Sequence, residues 1–338
     1  MDKPTALVTG ANGEMGHLLI PALADRGHRV VALDLAPLAP GLAARCTEVV
    51  QGSITDSAFV AGAFERHRPE SIWHLAAILS TKAETDPDLA HEVNVGGTLG
   101  LMRLARRAAA TLGRPVRFLF PSSIAVYGLP DATTKARAGA LREHEWTSPS
   151  AIYGCTKLYC ELLGSHAARA AVRETRPGLD FRALRFPGLI SAETVPSGGT
   201  SDYGPEMVHA AAQGKPYACF VNEGTRLPFM TMPDAVEAFL RLADAPTGSL
   251  STRVYNVRAF SPTAAEIRDE VVRLYPGAAI TFQPVERRQA IVDSWPGDVD
   301  DGAARRDWGH APQHGLREAF GEYLMPSLMK RYPVGCRS

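Results

Sequence analysis

Through its first 187 residues the chain alternates short apolar runs with longer stretches of helical period. The runs are TALVTG (5 to 10), RVVALD (29 to 34), TEVVQG (47 to 52), SIWHLA (71 to 76), VRFLFP (116 to 121) and DFRALRF (180 to 186). None alternates strictly between apolar and polar, which suits strands buried on both faces. Helices over 15 to 26, 57 to 67, 88 to 112 and 151 to 174 suit the crossovers between parallel strands. The pattern predicts an α/β fold around a doubly wound parallel sheet. After residue 187 glycine and proline punctuate the chain, strands become isolated and helical stretches shorten. The expected division is residues 1–187 for the sheet domain and 188–330 mainly for a smaller lobe over the sheet's ends, with segments free to return to the sheet.

Composition narrows the partners. The chain has 338 residues, 45% hydrophobic and 21% charged, enough for one large α/β domain or two unequal ones. Its 36 basic and 36 acidic side chains cancel, so no overall charge draws it to nucleic acid or an anionic membrane. The N-terminus runs directly into the first apolar strand and no apolar run reaches membrane-spanning length, from which a cytoplasmic protein is expected. Cysteines at 46, 155, 160, 219 and 336 form no C-x-x-C pair and read as reduced and structural. The histidines show no ligand spacing, so no metal site is expected.

The first strand ends in VTGANGEMGHLL, which sets Gly10, Gly13 and Gly16 in a strand-turn-helix context. That spacing gives a tight turn, close backbone approach to a pyrophosphate and close helix-to-strand packing, with the anion at the helix N-terminus. The sheet is therefore expected to be of Rossmann type. Asp34 closes the second strand, where a carboxylate accepts from ribose hydroxyls and repels a 2′-phosphate; LAPLAP follows without an arginine. NAD is favoured over NADP. Ser53 and Ile54 are placed to border the adenine, and the small residues of LAAILS let Leu75, Ala76 and Ala77 approach the diphosphate and ribose. Asn94, a poor helix former between apolar residues, is either a local cap or an amide bridging two segments near the active site.

Tyr153 and Lys157 lie four residues apart on one helical face, about 5–6 Å apart at Cβ. A phenol must fall roughly 3 pKa units to act as a base near neutrality, about 4 kcal/mol. An ammonium about 4 Å away supplies a comparable amount at an effective dielectric of about 20. The fifth strand delivers Ser122 and Ser123 to its carboxyl end, where open α/β sheets bind ligands, and a hydroxyl there can orient an oxygen that Tyr153 deprotonates.

With TGANGEMG, HLAA, PSSIAVYG, YGCTK and RFPGLIS in this order, the chain resembles the extended short-chain dehydrogenase/reductase family over most of its length. The resemblance implies bound NAD, a catalytic group of Ser123, Tyr153 and Lys157, with Ser122 behind Ser123, and a dimer made by the helices near 88 to 112 and 151 to 174. Its motifs extend the cofactor contacts to Asn12, Glu14, Met15, Asn94, Pro121, Ser122, Phe186, Gly188 and Ile190.

PSGGTSDYG (196 to 204), LPFMTMPDAVEAF, VYNVRAFSPT and the segment carrying DSWP resemble one branch of that family, the short-chain type L-threonine 3-dehydrogenases, with Ser197 and Ser201 as departures. The branch implies L-threonine as substrate, oxidised at its β-hydroxyl without a metal. The Gly198–Gly199–Thr200 loop could hold the carboxylate, and Ser80 and Gly188 stand beside the reacting carbons. Trp295 either closes the pocket or is a core aromatic. Loops 196 to 204 and 291 to 297 are expected to act as a lid. Two alternatives stay open: a nucleotide-sugar epimerase or dehydratase of the same fold, for which arginines at 182, 185, 226, 287 and 288 leave room, and a non-catalytic NAD sensor.

Overall fold

A computed structural model describes residues 3–196 and 199–333. Ser197, Gly198 and Cys336 lie outside the described residues. Strands β1 (Thr5–Thr9), β2 (Arg29–Asp34), β3 (Glu48–Gln51), β4 (Ser71–His74), β5 (Val116–Ser123), β6 (Leu179–Phe186) and β7 (Val254–Asn256) form one sheet. Their order is β7-β6-β5-β4-β1-β2-β3, and every neighbouring pair is parallel. The chain order reverses between β1 and β4, which opens a crevice at their carboxyl ends.

The sheet is covered on both faces, which is why its strands read as unbroken apolar runs. Leu19 and Ile20 of helix α1 (Glu14–Asp25) and Phe239 of the helix Met232–Asp244 pack on one face, with Trp73 edge-on to Phe239. Leu101 and Met102 of the helix Thr98–Leu112, with Cys160 and Ala168 of the helix Ile152–Arg173, cover the other. A third apolar cluster joins Ile124, Val126 and Tyr127, just beyond β5, to Tyr203, Phe220, Phe229 and Trp295. The lobe thus sits on the carboxyl ends of the strands and shares its core with them.

Two features depart from the linear pattern. After the helix Met232–Asp244 the chain returns to the sheet and adds β7, so residues beyond 187 supply the seventh strand. The helix expected over 88 to 112 is interrupted: a helical turn at Pro87–Ala90 and the helix Thr98–Leu112 flank a π-helical segment at His91–Gly97. Asn94 sits in that segment and is buried.

Among the described residues Cys46, Cys155, Cys160 and Cys219 are free thiols. No group of three or more potential metal ligands is found among them. No helix among them is long and apolar enough to cross a membrane.

Candidate active site

The crevice at the switch point is a cleft of about 560 Å³ whose wall includes Gly10, Gly13, Glu14, Met15, Gly16, Asp34, Ser53, Ile54, Leu75, Ala76 and Ala77. Main chain shapes it. Gly10 has φ +66, and a Cβ there would meet the backbone nitrogen of Ala76 at 2.5 Å; a Cβ on Gly16 would meet the Ala11 carbonyl oxygen at 2.1 Å. Asp34 fastens the loop between them, accepting from the Asn12 N–H with Oδ2 and the Ala36 N–H with Oδ1, each at 2.9 Å. Glu14 accepts from the Thr194 hydroxyl, tying α1 to the lobe. Among the described residues lining the cleft, none is lysine or arginine.

Beneath the cleft, His74 is bonded on both ring nitrogens, to Thr9 Oγ1 at 2.7 Å and Thr98 Oγ1 at 2.8 Å. Burial, with Lys157 nearby, pushes its pKa down to about 3 and keeps it neutral. Asn94 takes both orphan groups of the post-β4 loop. Its Oδ1 accepts from the Ile78 N–H at 2.7 Å, and its Nδ2 donates to the Ile78 carbonyl at 3.0 Å and to Thr156 Oγ1 at 3.2 Å. Of the two readings open from sequence, the geometry is that of the bridge.

Ser123 ends β5, and its Oγ accepts from the Ala125 N–H at 3.1 Å, which leaves the hydroxyl hydrogen available. Lys157 is buried. Its ammonium donates to the Pro121 carbonyl at 2.7 Å and lies 4.7 Å from the Phe120 ring centroid and 5.5 Å from that of Tyr153. Burial pulls its pKa down to about 8, against the opposing pull of Cys160 and Glu161. The Tyr153 phenol moves the other way from the sequence expectation: burial pushes it up. The ammonium is directed at a carbonyl and an aromatic face, so its attraction for a phenolate does not overcome the cost of putting that charge in an apolar setting.

Ser80, Ser123, Tyr153, Gly188, Gly199, Thr200 and Trp295 all line one chamber of about 530 Å³, together with Asp202. Asp202 Oδ2 accepts from the Gly199 N–H at 2.7 Å and shapes the loop that presents Thr200. An extension of about 300 Å³ shares Ser80, Tyr153, Thr200 and Trp295 and adds Glu84, Ala151, Arg287, Arg288 and Ile291. Trp295 is both buried and on the chamber wall, a core aromatic with one side facing the chamber.

Several side chains named from sequence are committed elsewhere. The Ser122 hydroxyl points to the opposite side of β5 from Ser123 and donates to Glu161 Oε1 at 2.5 Å. Phe186 packs edge-on to Phe239, Ile190 is fully buried in the lobe, and Pro121 offers its carbonyl to Lys157. Arg185 pairs with Glu161 at 2.6 Å and Arg182 with Asp180 at 2.7 Å, both buried, because charges in a fully covered strand need partners. Neither lines the chamber. Arg226 lines a separate surface cavity, so of the five arginines only Arg287 and Arg288 come near, on the wall of the chamber's extension. Glu84 and Val93 line these cavities from outside the linear motifs, and Ile78 and Met232 line them from within LAAILS and LPFMTMPDAVEAF, whose patterns do not single them out.

A model of the NAD dependent epimerase/dehydratase family matches residues 6–257. The mitochondrial L-threonine 3-dehydrogenase of Sus scrofa is 34% identical over 309 residues, 91% of this chain and 78% of the pig protein. Among solved structures, the holo form of a GalE-like L-threonine dehydrogenase from Cupriavidus necator aligns with a TM-score of 0.84 at 35% identity, covering 96% of this chain and 99% of that one. The apo form of that enzyme aligns with a TM-score of 0.74. A monomeric L-threonine 3-dehydrogenase from a metagenome gives 0.84 at 33% identity, with 96% and 99% covered.

Proposed function

The chain belongs to the NAD dependent epimerase/dehydratase family, and from that premise we propose that it oxidises the β-hydroxyl of L-threonine, yielding 2-amino-3-oxobutanoate and reduced NAD. The observation that carries this reading is the single chamber in which Ser123 and Tyr153 meet Ser80, Gly188, Gly199, Thr200 and Trp295. The division of labour follows the chain: residues up to about 187 hold the cofactor and the reaction centre, and the lobe after it closes over the substrate.

The cleft fits a dinucleotide. Gly10, Gly13 and Gly16 leave room for a pyrophosphate at the start of α1, and Asp34 faces the place of the adenosine ribose. NAD is preferred to NADP because the described wall carries carboxylates at Glu14, Asp34 and Glu92 and no cation to receive a 2′-phosphate. When bound there in its oxidised form, NAD would supply the acceptor for the substrate's β-hydrogen as hydride.

The chain's own residues handle the proton. Ser123, its oxygen already accepting from Ala125, donates its hydrogen to the substrate oxygen and fixes that oxygen toward Tyr153. Tyr153 takes the hydroxyl proton as general base. Since burial alone raises the phenol, ionisation requires the positive charge gathered around it, of which Lys157 is the resident part. Thr200, presented by the loop that the Gly199 N–H ties to Asp202, holds the substrate carboxylate, and Trp295 closes over its methyl group.

Pure protein mixed with NAD and L-threonine, followed by reduced-nicotinamide absorbance, tests the proposal. Silence with threonine, together with turnover of a UDP- or dTDP-sugar, would overturn it in favour of an epimerase or dehydratase. A cytoplasmic homodimer completes the proposal: Tyr159, Leu162 and Val172 stand exposed on the outer side of the helix Ile152–Arg173. Sedimentation as a monomer at working concentration would remove the dimer.

A further inference from the structure

The helix Ile152–Arg173 carries Tyr153 and Lys157 but begins without any of the usual N-terminal devices. Its N-cap residue is Ala151, which has no side-chain acceptor, and its first turn contains no acidic residue. The first four N–H groups of a helix have no partner within it, so such a start is loose unless something outside supplies an acceptor. The neighbouring Ser150 does not, because its hydroxyl is paired with Ser294 Oγ at 2.9 Å.

The acceptor comes from a distant segment. Glu84, on the short helix Ser80–Thr85, places Oε1 2.6 Å from the Ile152 nitrogen and accepts its N–H across 68 positions of sequence. Glu84 is half-buried on the wall of the chamber's extension, beside Tyr153. A carboxylate at a helix N-terminus makes a charge-assisted bond and meets the positive end of the helix dipole. The next residue but one is pinned from the opposite side: a Cβ on Gly154 would meet the Ala125 carbonyl oxygen at 2.0 Å, so the backbone there is pressed onto the segment after Ser123. Tyr153 is held between these two constraints.

We propose that Glu84 is a positioning residue for the reaction, an external cap that fixes where the catalytic helix begins and therefore where the Tyr153 phenol stands relative to Ser123. This inference rests on Tyr153 being the general base proposed above. The same short helix also contributes Ser80 and Thr81 to the chamber. Glu84 therefore sets the distance between the substrate-facing wall and the base.

Three full-length variants test it. Glu84→Ala removes the acceptor and is expected to lower kcat with L-threonine roughly tenfold to a hundredfold, the cost of a small misplacement of a catalytic group. The KM for NAD stays unchanged, because the cleft is untouched. Glu84→Gln keeps an acceptor oxygen and is expected to restore kcat to within about threefold of wild type. Glu84→Asp, whose shorter arm withdraws the acceptor, behaves like Glu84→Ala and serves if that variant does not fold. Hydrogen exchange at the Ile152 amide reads the cap without any substrate: slow in wild type and Glu84→Gln, fast in the other two. Wild-type kcat in Glu84→Ala, equal losses in Glu84→Ala and Glu84→Gln, or unchanged Ile152 exchange would each overturn the proposal. A wild-type protein inert toward threonine would instead defeat the functional reading, while the amide exchange would still decide on the cap.

Discussion

The cofactor cleft and the substrate chamber meet at Glu14, Leu79 and Leu189 but are built on different principles. The cleft is mostly main chain: what matters at Gly10 and Gly16 is that no side chain is present, and Asp34 spends its carboxylate on backbone N–H groups. The chamber is made largely of side-chain ends brought together from separated segments, among them Ser80, Ser123, Tyr153, Thr200 and Trp295. A cleft of the first kind is rigid and intolerant at a few positions. A chamber of the second kind depends on the lobe packing that assembles it, and its residues can be altered one by one without loss of the cleft.

The sharpest separation is expected from Tyr153→Phe. It removes the base and should lower kcat by roughly 10²- to 10⁴-fold, while NAD titration by nicotinamide-sensitive fluorescence gives the wild-type Kd. A parallel loss of NAD affinity would break the distinction between the two regions. The reverse case is Gly10→Ala, which forces a Cβ into a position 2.5 Å from a backbone nitrogen at φ +66. Strain of about 1–3 kcal/mol should raise the Kd for NAD by about tenfold or more and lower the melting temperature. Unaltered NAD binding in that variant would mean that the loop can move away.

Smaller effects test the chamber and the floor of the cleft. Thr200→Ala and Trp295→Ala should each raise the KM for threonine about tenfold with the KM for NAD unchanged, as expected for lost ground-state binding; a change in NAD KM would show the regions to be coupled. The last concerns acid. Burial holds His74 near a pKa of about 3 and His209 near about 4, below the value of about 6.5 expected for an unfolded chain. Lowered folded pKa values mean that the unfolded state binds more protons, so this stability is present above about pH 6.5 and lost as pH falls toward about 4. Melting temperatures across that range should decline, and His74→Gln should flatten the decline if the floor of the cleft is the acid-sensitive part.

The same contrast explains what could be read from the linear chain. Strands buried on both faces leave an apolar run, and a glycine spacing records where side chains are forbidden, so β1, β2 and the loop after β1 are legible locally. The seventh strand is only three residues long and pairs with Ala183, Leu184 and Arg185 far back in the chain, so nothing local marks Val254–Asn256 as part of the sheet. Arg182 and Arg185 look like ligand-binding cations until Asp180 and Glu161 are seen against them. The Tyr153–Lys157 pair is recognisable by its spacing, but the direction of the phenol's shift depends on burial and on the Pro121 carbonyl, neither of which the spacing contains. Glu84 is invisible for the same reason: its partner lies 68 positions away.

The π-helical segment at His91–Gly97 carries one more residue than an α-helix of the same rise would use, and within it Asn94 reaches both Ile78 and Thr156. Helices in general absorb a lost residue by shifting the turns at a free end. Here a one-residue deletion between Glu92 and Gly97 would swing the Asn94 amide about 100° around the axis and away from the loop below the cleft. The length of this helix is thus set by an internal contact, and natural or engineered variation in its length belongs past Leu112, beyond Ala109, the last of its residues buried on the sheet.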